Sequence, residues 1–201
     1  MNMLKHKFIR PFFSAVIIGS GLMLSQISQA EPAKAGHYVI DSGHASAIFS
    51  ISHLGYSELQ GRFNELEGEF DLNPAGRSKL EVRIKTASID TNHKKRDEHL
   101  RSPDFFNARQ YPLISFTSTE VKYNDKGEPV SIIGKLNMHG KTRPLTLTVK
   151  AMRAATDPWG SYRAGYSASV RLKRSDFGMD FMQGGIGDEV SLKIDLETIR
   201  K

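Results

Sequence analysis

Seven histidines, 28 Lys and Arg and 22 Asp and Glu are available to this 201-residue chain for chemistry, and no cysteine is. Without a thiol there is no disulfide, no thiolate metal site and no cysteine nucleophile. The densest polar stretch runs from His93 to Asp104 and holds His93, Asp97 and His99, all of them metal-ligating residue types. Six residues of helix turn through about 600°, so the two rings leave on different faces, and Asp97 diverges from His99 as well. No metal site is expected there. Ser, His and Asp residues occur without the strand–turn–helix elbow that would raise a nucleophile. Asp176-Phe177-Gly178 has the order of a kinase tripeptide with nothing else of that fold around it. None of these patterns by itself marks a catalytic residue. What remains for Arg96, Asp97, His99 and Arg101 is binding: a helix across a pocket mouth whose side chains hydrogen-bond a ligand oxygen, or else a solvated face shared with Lys94, Lys95 and Glu98. His53, ahead of Gly55, is either another mouth residue or a turn histidine. Arg171, Lys173 and Arg174 read as an outward, solvated strand face with weak attraction for anionic lipid surfaces.

The elements that must position these residues are mostly strands. Leu80, Val82 and Ile84 alternate with Glu81, Arg83 and Lys85, as a sheet with one buried face requires. The same period of two runs through Leu145 to Lys150, Tyr166 to Lys173 and Val190 to Glu197. Phe49 and Ile51 share a face, as do Ile114 with Phe116 and Ile132 with Leu136. Between Phe63 and Leu66 the spacing jumps to three before Leu66, Gly68, Phe70 and Leu72 resume, which predicts a bulge bending one long strand. Turn residues at Asn73-Pro74, Asn124-Asp125, His139-Gly140 and Asp157-Pro158-Trp159-Gly160 separate the runs. One interruption is helical: Asp90-Thr91-Asn92 offers caps, His93 to Arg101 lacks Gly, Pro and β-branched residues, and a second short turn spans Phe105 to Arg109. The reading is all-β, about eight mostly antiparallel strands with a short helical insertion. A closed barrel removes the sheet edges, with a two-sheet sandwich as the structural rival. Trp159 is expected to plug one barrel end.

The first thirty residues stand apart. Lys5, Lys7 and Arg10 precede a mostly apolar run from Phe12 to Leu24, followed by Ser28-Gln29-Ala30. A basic start, a short apolar core and small residues before the cut describe a secretory signal peptide. Cleavage is expected between Ala30 and Glu31, which leaves residues 31–201 as one exported domain. The leader carries three cations and no acid, so the formal charge falls from +6 to +3. That is too little to imply a nucleic-acid partner.

The inward face is assigned Phe49, Ile51, Phe70, Leu72, Val82, Ile84, Phe116, Leu136, Leu145, Leu147, Tyr166 and Val170, none of them charged. If the interior is hollow, such a lining favours an apolar guest by roughly 0.8 kcal/mol for each buried methylene. A filled core would carry the same pattern, so the alternation leaves carrier and packed barrel both open.

The segment Asp90-Thr91-Asn92, Arg96-Asp97, His99-Leu100, Ser102 and Asp104-Phe105-Phe106 resembles the signature of the YceI-like family. Tyr38, His53-Leu54-Gly55-Tyr56, Tyr111-Pro112 and Asp157-Pro158-Trp159-Gly160 extend the likeness from about Tyr38 to Leu196. The resemblance implies an extended eight-stranded antiparallel lipocalin-like barrel whose pocket holds a long isoprenoid-type amphiphile, such as a polyprenyl quinone. It implies a periplasmic, non-enzymatic transport or storage role with no catalytic residue and no catalytic cofactor, long-chain fatty acids or amides as alternative ligands and a homodimer among the family's assemblies. The rivals are a packed interaction module of the cell envelope and an enzyme acting through the mouth residues.

Overall fold

The computed structural model describes residues 31–201. The expected leader and Ala30 lie outside the described residues. Ten strand segments follow: β1 Gly36–His53, β2 Ser57–Phe63, β3 Leu66–Leu72, β4 Lys79–Lys85, β5 Ile89–Asp90, β6 Leu113–Tyr123, β7 Pro129–Met138, β8 Lys141–Thr156, β9 Tyr162–Lys173 and β10 Ile186–Arg200. Every pairing between them is antiparallel, and β10 pairs with β1, so the sheet closes on itself. β2 and β3 are two halves of one stave, both laid along β1 and broken only at Asn64-Glu65. That break is the bend expected from the spacing between Phe63 and Leu66. β4 and β5 likewise follow β3 and β2 in turn. The result is an eight-stranded antiparallel lipocalin-like barrel with one helix.

The barrel ends differ. At one end stand the β1–β2 turn, the 86–112 connection, the β7–β8 turn and the β9–β10 connection. At the other stand the start of β1, the end of β10 and the turns after β3, β6 and β8. This second end is closed. Tyr38 is wholly buried and Leu72 nearly so; the Tyr38 hydroxyl donates to the Lys34 carbonyl at 2.5 Å, and the hydroxyls of Ser78 and Tyr123 bond each other. Burial pushes the Tyr38 hydroxyl up to about 12, since a phenolate would lose its hydration there.

Trp159 does not plug this end. It sits at the tip of the β8–β9 hairpin and is 85% exposed. The tip needs no apolar anchor, because the Asp157 carboxylate accepts the N–H groups of Trp159 and Ser161 at 2.9 Å each and so closes the turn itself. Arg163 braces the same end: it donates to Asp41 at 2.6 Å, to Asp157 at 2.7 Å and to Glu197 at 3.2 Å.

Two glycines allow aromatic rings to lie flat across neighbouring strands. A Cβ on Gly61 would stand 2.3 Å from the Phe49 ring, and one on Gly134 would stand 2.5 Å from the Phe116 ring. Both rings point into the barrel.

Candidate functional site: an apolar bore with a polar mouth

The interior is hollow. A cavity of about 330 Å³ runs from the open end toward the Tyr38 layer, within the usual size range of small-molecule sites. Phe49, Ile51, Phe70, Val82, Ile84, Phe116, Leu136, Leu145, Leu147 and Tyr166 all border it, as the alternation requires of inward positions. Several inward residues, among them Leu145, Leu192 and Ile194, are only half-buried. Their remaining exposure faces the bore.

Two residues assigned to the lining do not border it. Leu72 lies one pleat beyond Phe70, past the floor that Phe70 and Tyr166 make edge to face at 5.9 Å, and is sealed into the closed end opposite Gly36. Val170 packs half-buried against the core between Ala168 and Leu172 without touching the cavity. The Tyr166 hydroxyl is buried with no hydrogen-bond partner among the described residues, and burial raises its pKa.

The mouth is where the polar residues gather. α1, Lys94–Leu100, is capped by His93, whose Nδ1 accepts the Arg96 N–H at 3.2 Å; Asn92 instead takes a left-handed backbone at φ 59°. Phe105 to Arg109 forms turns, as its sequence leads one to expect. Arg96 and His99 border the cavity, and so does His53 from the end of β1. Asp97 does not. It is buried beneath the helix, where one carboxylate oxygen accepts the Thr91 N–H at 2.9 Å and the Thr91 hydroxyl at 2.5 Å. Thr91 in turn accepts Arg96 Nε on its hydroxyl oxygen and Arg96 Nη2 on its carbonyl, both at 2.7 Å. Asp97 is thus a positioning residue for Arg96. Arg101 is turned away, donating to the carbonyls of Ala87 and Ile89 at 2.7 and 2.6 Å.

His99 packs edge-on against Phe105 and Phe181 and bonds Asp104 at 2.9 Å. Phe181 and Met182 come from the β9–β10 connection, which no period-two pattern marks. What holds that connection is Arg174. The residue does not lie on an outward face; it is 3% exposed. Its guanidinium donates to the carbonyls of Gly187, Met179 and Ile186 at 2.8, 2.5 and 3.1 Å. A fork of donors can gather several carbonyls where a solvated cation could not. The run of charges after Leu172 concealed this, because Arg174 stands just beyond the last strand residue.

Asp41, His44 and Glu197 offer ligand atoms within 4.8 Å of one another near the closed end. The cation already among them is the Arg163 guanidinium.

The family model for the YceI-like domain matches residues 38–198. The chain belongs to the YceI-like family. It is 42% identical to a UPF0312 protein of Pseudomonas paraeruginosa over 96% of this chain and 100% of that one. The YCEI protein of Campylobacter jejuni, a solved structure, is 30% identical with a TM-score of 0.66 over 75% of this chain and 90% of its own. A polyisoprenoid binding domain from Saccharophagus degradans, implicated in plant cell wall breakdown, has the same fold at 15% identity, with a TM-score of 0.65 over 84% of this chain and 100% of that domain. In this YceI-like chain Thr91 and Asp97, within the segment that carries the family likeness, set Arg96 at the mouth.

Proposed function

We propose that the protein is a periplasmic carrier or reservoir for a long-chain isoprenoid lipid, a polyprenyl quinone or related amphiphile. The observation that carries this reading is the bore: an apolar tunnel closed at one end, open at the other and unfilled by its own side chains. A hydrocarbon tail threaded past Leu147 and Phe116 leaves water for a lining of the same polarity, and each methylene contributes roughly 0.8 kcal/mol before ordering costs. The polar head stays at the mouth, within reach of Arg96, His99 and His53. No bond is made or broken, so the role needs no catalytic residue and no cofactor. The Saccharophagus degradans domain, with its named ligand class, supports an isoprenoid guest. The basic start, apolar run and Ser28-Gln29-Ala30 support export. Hand-over at a membrane surface, or between two copies of the chain, belongs to the same reading.

Native mass spectrometry of protein purified from the periplasm, followed by organic extraction, tests it. A co-purifying long-chain lipid is expected, and Leu147→Glu or Phe116→Asp should lose it, because a charge in the bore has no partner. Protein recovered from the periplasm with an empty bore would overturn the reading, as would a Leu147→Glu protein that still carries lipid.

A further inference from the structure

The polar residues bordering the bore are unequal in sign. Arg96, Arg174, His53 and His99 border the cavity, and no Asp or Glu does. The carboxylates of the mouth stand behind the cations: Asp97 is spent on Thr91, Asp104 on His99 and Asp188 on the N–H and hydroxyl of Ser175. Of the two guanidiniums, Arg174 gives each of its three nitrogens to a carbonyl. Arg96 does not. Thr91 takes its Nε and one bond from Nη2, and Nη1 has no partner among the described residues. The clamp fixes the plane of the guanidinium and leaves the Nη1–Nη2 edge, a fork matched to two oxygens of one anion.

The geometry points to an anionic oxygen head group, a carboxylate or a phosphate, as the chemistry that this mouth selects, held by the free edge of Arg96. This inference rests on the lipid-binding reading and narrows it. A neutral quinone or alcohol accepts one hydrogen bond from that edge; a carboxylate or phosphate accepts two and meets the inward positive charge.

The test uses protein stripped of co-purified lipid and three probes of one chain length at pH 8: hexadecanoate, hexadecyl phosphate and hexadecanol. Displacement of a polarity-sensitive dye from the bore reads affinity. At least one anion should bind about 10- to 100-fold more tightly than the alcohol, the difference expected for charge-assisted bonding, and the tighter one identifies the head. Arg96→Gln should bring all three probes within about three-fold of one another, the anions losing far more affinity than the alcohol, which gives up at most one hydrogen bond. Arg96→Lys, which keeps the charge without the fork, should retain part of the preference. An alcohol that binds the native protein as well as both anions would overturn the inference, and so would an Arg96→Gln protein that weakens all three equally. Failure of every probe, the alcohol included, would instead sink lipid binding itself.

Discussion

Thr91 is the residue on which the mouth turns, although it does not itself border the cavity. Its hydroxyl donates to buried Asp97 and accepts from Arg96, so one side chain couples a carboxylate under the helix to a guanidinium above the bore. Thr91→Val keeps the shape, removes both bonds and leaves Asp97 with one fewer donor. A fall in stability of about 1–3 kcal/mol is expected in denaturant melts, together with loss of any head-group preference. Asp97→Ala should act the same way on preference, since it reaches the ligand only through Thr91 and Arg96. At the floor the sign reverses. The Tyr166 hydroxyl lies unpaired, so Tyr166→Phe should raise the stability of the empty protein by about 1 kcal/mol. A Tyr166→Phe protein that melts earlier than its parent would show that the hydroxyl has a partner.

At the scale of the elements, the strands hold their inward rings because glycine sits where a second side chain cannot. Gly61 faces Phe49 across the β1–β2 pair. Gly61→Ala should cost about 1–3 kcal/mol through overpacking and should change bore volume, read as altered dye binding. Most of this barrel is legible from period two alone, because a single buried face forces alternation and an outward polar or charged residue marks each pleat: Leu80 to Lys85 and Val190 to Glu197 need no further information. The bend at Asn64-Glu65 is legible for the same reason, as a slip in that period. The mouth is not. Phe181 and Met182 lie on a connection whose shape comes from Arg174 reaching three carbonyls, and long-range donors of that kind leave no periodic trace. Trp159 misleads in the opposite way, since size and apolarity suggest a plug, whereas Asp157 closes the hairpin unaided. Leu72 and Val170 show that an inward position is not always a lining position. For Leu72 the bore has ended and the alternation continues past it; Val170, between the lining residues Ala168 and Leu172, is packed against the core instead.

For the molecule as a whole, the two ends are built to different purposes. The closed end is braced by Arg163 against Asp41 and Asp157, and hydrogen bonds from Arg163 hold both carboxyls below the usual carboxylate range. A depressed folded pKa contributes stability that is present above the unfolded value, near 3.9, and is lost as pH falls through the folded values. Melting temperature should therefore drop below about pH 4, and Arg163→Met should flatten that drop; an unchanged acid limb in the variant would remove the brace from the account. Trp159, the single tryptophan, stands at this end and in solvent, far from the mouth. Its emission should be red, open to aqueous quenchers and indifferent to a guest in the bore.

The first and last strands meet at the closed end as well: Tyr38 is paired with Arg200, and the Lys201 N–H donates to the His37 carbonyl. A tag or surface tether fused after Lys201 would leave from the pole opposite the opening. A film of molecules anchored that way would face its wells outward in one common orientation, ready to be filled from above.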